Sequence, residues 1–451
     1  MKPETIIALA SGAGRAGVAL IRLSGPEAGA ALEALTGRGK PPPRVAARRA
    51  FLDPRGGLSL DDGLALWFPG PASFTGEDVA ELHVHGGPAV IAALIDAALS
   101  LPGVRPAEPG EYTRRAFEHG KLDLAEAEGL ADLVDAETEG QRRQALRQRR
   151  GALSAVYEGW RGRLIAAAAL IEAEIDFPDE NLPGALAQRA GPLLRALADD
   201  MGRHLDDAHR GERIRDGFRI AIIGPPNAGK SSLLNALAQR EAAIVSDIPG
   251  TTRDVVEVRL LLAGFHVWIA DTAGLREAAD AVEAEGVRRA LERAEAADLR
   301  IGVMEAGAQL VEPKLTEALD LFDILALTKA DLPGRYGLLL SGALTQGLEL
   351  ERTLVSSKTG EGVEALVALI AARVERVLGA EEAPVLTRAR HRWLVYDARA
   401  ALERAIPALD QGPELAAEDV RAASDNIGRL TGRIDVEDLL GEIFESFCIG
   451  K

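Results

Sequence analysis

A single cysteine, Cys448, occurs in 451 residues, which excludes an intrachain disulfide and any thiolate metal cluster. Apolar runs are short, and none approaches the ~18 residues of a membrane-spanning helix. The N-terminal MKPETIIALASGAG lacks the charge pattern of a signal peptide, so a cytoplasmic chain is expected. Positive charge is in deficit, with 52 Lys and Arg against 69 Asp and Glu and a net charge of -17. That balance argues against sequence-blind coating of nucleic acid, although a local basic patch can still hold RNA against an acidic background. Repeats and low-complexity tracts are missing, apart from the prolines at 41 to 43, which read as a linker or edge turn. We read no dinucleotide-binding fingerprint, because the Gly-rich nucleotide loop of this chain is a phosphate loop of another kind.

What is present is ordinary globular composition, 47% hydrophobic and 27% charged. Roughly two to four domains are expected at this length. The stretch FRIAIIGPPNAGKSSLLNALA organises the middle of the chain. Arg219 to Ile223 reads as a buried strand and Ser231 to Leu237 as the opening of a helix. Between them Gly224, Gly229, Lys230 and Ser231 satisfy G-x-x-x-x-G-K-[ST]. In that pattern backbone N–H groups and the helix N-terminus cradle phosphates, the lysine reaches the outer ones and the serine hydroxyl holds Mg²⁺.

Residues 1 to 118 alternate strands (TIIALA, GVALIRLSG, DGLALWFPG, DVAELHVHGG) with a helix opened by a proline, PAVIAALIDAALS, which implies an α+β domain. Glu81, His83 and His85 share one strand face. A metal site there is conceivable, but a polar strand face is the commoner explanation. From Lys121 the pattern becomes helical, in long pieces through Ile171 and again from Leu193 to His209. The same texture returns from Arg390, broken by PELAAED around Pro413. We therefore expect an all-α helical domain of residues 119–215 plus 377–451, interrupted by an inserted α/β P-loop domain at 216–376. Arg142, Arg143, Arg147, Arg149 and Arg150 cluster on the first long helix, either as a solvated face or as an RNA backbone contact.

Four further signals follow the phosphate loop in the order a GTP-binding domain needs. GTTRD, Gly250 to Asp254, offers a threonine hydroxyl that can complete the Mg²⁺ shell, in a segment suited to switching. VWIADTAG places Asp271 to hold the metal through water and the Gly274 backbone to sense the γ-phosphate. LALTKAD brings Lys329 and Asp331, a carboxylate that can accept two guanine donors which adenine does not offer. Ser356, Ser357 and Lys358 suit contact with the base carbonyl. Thr328 stands where asparagine is commonest, so guanine selectivity should lean on Asp331. Leu275 occupies the position of a water-orienting glutamine and cannot do that work. Two substitutes are visible: Asn227 with carbonyls from Ser246 to Thr251 can coordinate a monovalent cation, and Glu283 can direct water, with Glu277, Asp280 and Glu285 as competitors.

Several motifs, GRAGVALIRLSG, SFTGEDVAELHVHGGPAV, PGEYTRRAFEHGKLDLAEAEGLADLVDA, the inserted domain and the final FCIGK, together resemble the MnmE (TrmE) family of tRNA-modifying GTPases over essentially the whole chain. The resemblance implies an N-terminal tetrahydrofolate-binding domain that mediates homodimerisation, a helical domain made from two chain segments, and an inserted G domain. It implies K⁺ held by Asn227, Ser246, Ile248 and Thr251, Mg²⁺ held by Ser231 and Thr252, and catalysis by Glu283 and Lys230. GTP contacts are expected from Asn227, Ala228, Gly229, Lys230, Ser231, Ser232, Ser246, Asp247, Ile248, Pro249, Gly250, Thr251, Thr252, Asp271, Thr272, Ala273, Gly274, Thr328, Lys329, Ala330, Asp331, Ser356, Ser357 and Lys358. Arg22, Glu81, Lys121 and Lys451 match folate-contacting positions, for 5-formyl- or methylene-tetrahydrofolate. Cys448 would sit beside the folate and be needed for modification, the alternative being a small buried hydrophobe. The implied reaction places an aminomethyl or carboxymethylaminomethyl group at C5 of the wobble uridine of certain tRNAs, with a flavin-bearing partner, MnmG (GidA), in a heterotetramer and without a membrane. The rival readings are a ribosome-assembly GTPase of the Era or Der type, and a GTP-gated scaffold whose folate pocket is vestigial.

Overall fold

The computed structural model describes residues 4–176, 186–207, 209–240, 257–271, 296–308, 313–332, 350–379, 384–434, 440, 443, 444, 447 and 450. It falls into two units, one of Met1–Ala131, Arg147–Ala198 and Asp397–Lys451, the other of Asp132–Leu146 and Asp199–Tyr396. Among the described residues no helix is long and apolar enough to cross a membrane.

Alternating apolar residues build the sheet of the first unit. Its strands are β1 (Thr5–Leu9), β2 (Ala16–Ser24), β3 (Ala47–Leu52), β4 (Ser59–Phe68), β5 (Val79–Gly86) and β6 (Val104–Pro106), in the order β3-β4-β5-β2-β1-β6. Pairing is antiparallel except between β1 and β6. Helices α1 (Ala28–Thr36) and α2 (Pro88–Leu99) supply apolar partners for one sheet face, where Ile21, Leu23, Leu82 and Val84 are buried with Leu32, Leu35 and Leu94. Period-two alternation puts Glu81 and His83 on the opposite face. There Tyr112, from α3 (Glu111–Glu118), is buried with Ile6 and Ala8. The four expected strands and the proline-led helix all form, while α1, β3 and α3 carry no strong sequence signal.

One literal G-x-G-x-x-G, made by Gly12, Gly14 and Gly17, escapes the sequence reading. It lies at the hairpin end of two antiparallel strands, β1 and β2, and not between a strand and a helix N-terminus. No helix dipole meets a pyrophosphate there, so the fingerprint has no structural context.

The helical run expected from Lys121 is segmented into α4 (Leu124–Asp135), α5 (Glu139–Arg149) and α6 (Ala152–Asp176). Capping explains the breaks. Asp123 and Glu126 exchange backbone-to-carboxylate bonds of 2.8 and 2.9 Å at the start of α4. Thr138 and Gln141 do the same at the start of α5, at 3.1 and 3.2 Å. Gly151, with φ 82°, closes α5. Downstream come α7 (Ala190–Leu205) and α8 (Arg210–Asp216). In the first unit α6 packs along the last long helix, Pro413–Thr431, with Tyr157 and Trp160 buried and their rings 5.8 Å apart. The expected break around PELAAED lies instead at 409–412, because Pro413 occupies a first-turn position where its missing N–H costs nothing.

The second unit holds a sheet ordered β12-β11-β10-β7-β9-β8, from β7 (Phe218–Ile223), β8 (Glu257–Leu262), β9 (Phe265–Asp271), β10 (Leu299–Glu305), β11 (Ile324–Thr328) and β12 (Glu351–Leu354). All neighbours are parallel except β8 and β9. Ile222, Ile301 and Ala326 point into one core with helices α9 (Lys230–Arg240) and α11 (Val363–Leu378). Ala221, Ile223 and Leu325 point into another beside α10 (Pro313–Ala318). Burial on both faces is why these strands read as continuous apolar runs. Strand order reverses about β7, with β9 on one side and β10 on the other, and it is beyond the C-terminal ends of the strands at such a point that α/β sheets bind ligands. The remaining long helix, α12, spans Ala389–Ala408.

Glu111, at the start of α3, supplies a pH test of the first unit. Burial opposes its ionisation, but bonds from Arg105, the Glu108 N–H and Arg115 outweigh it and hold the carboxyl below its ordinary value of 4.5. Its stabilisation is therefore fully present above that value and is lost as pH falls through the folded pKa. We expect the melting temperature to drop as pH is lowered from 5 toward 3, about 2 units, and Glu111→Gln to flatten the fall. An equally steep profile in the variant would refute the assignment.

Candidate functional site

Strand β7 delivers the phosphate loop, and the loop's shape follows from two glycines. At Gly224 a Cβ would stand 2.2 Å from the Val303 carbonyl oxygen of β10, so only glycine fits. Gly229, with φ 95°, turns the chain into α9. Asn227 takes φ 61°, a left-handed conformation that asparagine tolerates, and is exposed at the loop crest. Lys230 is 7% exposed, and its ammonium donates to the Gly224 and Pro225 carbonyls at 2.8 and 2.9 Å. Ser231 and Ser232 face solvent at the start of α9. The Ser231 hydroxyl donates to Asp271 Oδ2 at 2.5 Å, which joins the helix start to the end of β9. These are hard oxygen donors of the kind Mg²⁺ takes beside phosphate.

A second set of groups lies beyond β11 and β12. The Ser356 hydroxyl donates to Asp331 Oδ1 at 2.8 Å and fixes the carboxylate's orientation. Ala330 N–H bonds the Val355 carbonyl at 3.3 Å, which ties this turn to the Ser356–Ser357–Lys358 loop. Lys329, at φ 57°, pairs with Glu305. A carboxylate held in this way leaves an oxygen able to accept the paired N–H donors of guanine.

Thr328 does work that the sequence does not reveal. It is 2% exposed, and its hydroxyl donates to the Ala228 carbonyl at 2.5 Å, with the Met304 carbonyl at 3.0 Å. The side chain therefore ties the phosphate loop to β10 and to the strand that leads to Asp331.

On the open face of the first sheet, Arg22 of β2 and Glu81 of β5 are register partners. Arg22 donates Nε–H and Nη2–H to the same oxygen, Glu81 Oε1, at 3.1 and 2.9 Å. The second carboxylate oxygen keeps acceptor capacity. Phe74 and Tyr112, which sequence reasoning missed, flank the guanidinium at 5.8 Å each, and the Tyr112 hydroxyl donates to the Arg22 carbonyl at 2.6 Å. Burial pushes the Tyr112 phenol well above its ordinary range. Lys121 is exposed, with its stem near Gly76 in the loop that also carries Phe74.

The metal reading of this face does not hold among the described residues. Glu81 is committed to Arg22, His85 pairs with Asp61 at 2.7 Å, and His83 stands 3.6 Å from Glu81. In the basic cluster, Arg142 and Arg143 both pair with Glu139, and Arg150 lies past the end of α5. Ser246, Asp247, Ile248, Pro249, Gly250, Thr251, Thr252, Thr272, Ala273, Gly274, Leu275, Glu283, Cys448 and Lys451 lie outside the described residues.

A parallel α/β sheet with a phosphate loop at its reversal point, a Ser–Asp pair beside the loop and a hydroxyl-oriented aspartate on the base side defines a GTPase of the P-loop class. Comparison narrows this. Residues 5–121 match the family described as GTP-binding protein TrmE N-terminus, and residues 124–448 match the MnmE helical domain. The chain is 58% identical over 452 residues to the tRNA modification GTPase MnmE of Parvibaculum lavamentivorans (99% of this chain, 100% of that protein). Against the Rhodospirillum rubrum protein of the same name, identity is 53% over 468 residues (100% of each). The G domain of the T. maritima FeoB iron transporter is similar over 35% of this chain and 98% of its own, at 26% identity and a TM-score of 0.26. The chain belongs to the MnmE (TrmE) family of tRNA modification GTPases.

Thr328→Val should remove the one hydroxyl donor that the Ala228 and Met304 carbonyls share, a loss of roughly 1–3 kcal/mol. Because the tie acts on the phosphate loop, we expect GTP and GDP affinity to fall together, about tenfold for each 1.4 kcal/mol, with the preference for guanine over xanthine unchanged. Thr328→Ser should restore both. A change in base preference, measured by nucleotide titration, would instead place Thr328 among the base readers.

Proposed function

We propose that this chain is a potassium-dependent GTPase that acts with a flavin-bearing MnmG (GidA) partner to place an aminomethyl or carboxymethylaminomethyl group at C5 of the wobble uridine of certain tRNAs, using a one-carbon unit from a reduced folate. The observation that carries this reading is the combination, in one chain, of the phosphate-loop domain with an N-terminal sheet whose open face presents Arg22 and Glu81 between two aromatic rings. Likeness from residue 5 to residue 448 favours it over a ribosome-assembly GTPase, which would share only the central segment. We divide the chain for this purpose into residues 1–118, 119–215 plus 377–451, and 216–376, and infer a cytoplasmic homodimer.

In this reading Ser231 and Thr252 hold Mg²⁺, while Asn227 with the carbonyls of Ser246, Ile248 and Thr251 holds K⁺. The exposed crest position of Asn227 fits that role, since its side-chain carbonyl can turn outward. Bound there, the cations neutralise charge that develops on the phosphate oxygens. Lys230 steadies the outer phosphates, and Glu283 positions the attacking water. Asp331, held by Ser356, reads guanine. On the N-terminal sheet, the free oxygen of Glu81 accepts from a pterin donor edge, Lys121 and Lys451 suit the glutamate carboxylates, and Cys448 works beside the folate.

Asp331→Asn should weaken GTP binding by at least about tenfold, equivalent to 1.4 kcal/mol, and favour xanthine nucleotides. Unchanged GTP affinity would remove the base-reading role. Wobble-uridine modification, measured in a strain whose only copy is this gene, tests the whole reading. We expect modified tRNA, and GTP turnover that slows when K⁺ is exchanged for Na⁺. Normal turnover beside unmodified tRNA would point to a scaffold, and indifference to the cation would refute the potassium site.

A further inference from the structure

Within the second unit, the segment before α5 meets the β8–β9 hairpin in an array of unlike charges and close backbone approaches. Glu137 pairs with Arg259 of β8, and its Oε2 lies 3.1 Å from Nε2 of His266 of β9. Arg259 in turn donates Nε–H to His266 Nδ1 at 3.2 Å and stacks its guanidinium on Trp268 at 5.2 Å. Arg259 Nη2 also lies 2.6 Å from His266 Nε2, and burial first, then Arg259, depresses the His266 pKa, so the neutral ring accepts from the guanidinium that Glu137 pairs with. Gly140 N–H bonds the carbonyl of Gly264, in the hairpin turn, at 3.2 Å, and a Cβ at Gly140 would stand 2.5 Å from the Phe265 ring. Two independent features, one electrostatic and one steric, thus press the start of α5 onto the same hairpin.

That hairpin is not a neutral place to anchor a helix. Strand β9 ends in Asp271, whose carboxylate is bonded to the first helical hydroxyl after the phosphate loop. Strand β8 follows directly on the segment that contains GTTRD. A shift of Asp271 on binding or losing γ-phosphate would be carried back along β9 to the hairpin, because close-packed interiors transmit strain.

We propose that Glu137, Arg259 and His266 form a latch by which the nucleotide state of the phosphate loop sets the docking of α5 on the β8–β9 hairpin. The inference rests on the GTPase reading of this domain but not on potassium, folate or tRNA. Glu137 is the releasable member, with its side chain 55% exposed, whereas Arg259 and His266 are 17% and 2% exposed. The latch therefore opens by loss of Glu137 and leaves the strand pair intact.

Hydrogen exchange on the full-length protein tests this, comparing GDP with a non-hydrolysable GTP analogue. In the unchanged chain, amides of α5 should differ in protection between the two states by about tenfold or more. Glu137→Gln and Arg259→Gln should each abolish that difference while GTP affinity stays within about twofold, which is less than 0.5 kcal/mol. The exchanged pair Glu137→Arg with Arg259→Glu should restore part of it. Gly140→Ala, which wedges the hairpin without touching the charges, should also abolish it. Protection of α5 that ignores the nucleotide in the unchanged chain, or that still responds in all three single variants, would overturn the proposal. Failure of the GTPase reading would look different, because the phosphate-loop amides themselves would then show no response.

Discussion

The approach of Gly224 to the Val303 carbonyl is the constraint on which the rest of the nucleotide site depends. Strand β7 lies between β10 and β9, and the loop that leaves it must clear the β10 backbone before it can turn into α9. With no side chain at residue 224 the loop stays close to the β10 backbone. Everything that reads a nucleotide is then placed by distance from that loop. Asp271 reaches Ser231 from the next strand on one side, and Thr328 reaches Ala228 from two strands away on the other. The net worth of each is modest, because folding exchanges it for bonds to water. Both are made by groups already fixed by buried strands, so little entropy is lost in forming them.

The N-terminal sheet applies the same economy to a different problem. Its apolar face is closed by α1 and α2, and its other face is only partly covered, by Tyr112 and its neighbours. A charged pair there is tolerated because each partner satisfies the other and the rim remains wet. The geometry of Arg22 on a single oxygen of Glu81 is asymmetric, which leaves the second oxygen able to bind something else.

Much of this was readable from the residues, and the unread part has physical causes. Motifs set by backbone geometry, such as Gly224 and Gly229 or the strand before Asp331, are written locally and were found with their elements. The Glu81, His83 and His85 face reads as a polar strand face, and what the residues alone do not show is the Arg22–Glu81 pair, because Arg22 lies 59 residues away in sequence and meets Glu81 only through strand pairing. Thr328 looked like a weakened base reader, since one sequence cannot show that its hydroxyl is turned toward a carbonyl 100 residues earlier. The helical run after Lys121 reads as long pieces without placed boundaries because apolar spacing persists through its breaks. The breaks themselves were written in Asp123 with Glu126 and Thr138 with Gln141, reciprocal caps that periodicity alone does not weigh.

Charge supplies the last step. A chain with a net charge of -17 that acts on a polyanion must concentrate its positive charge, and the obvious concentration, Arg142 to Arg150, is less positive than it reads. Glu139 takes both Arg142 and Arg143, one turn away on the same helix, so one of the two positive charges at that end of the cluster is offset and one remains. Beyond a Debye length of about 8 Å at physiological salt, an RNA backbone would feel little of it. The same helix begins at the hairpin of the nucleotide domain. Its first turn is docked there through Gly140, so the arginines that follow are held by a helix tied to the nucleotide domain, whichever partner they meet.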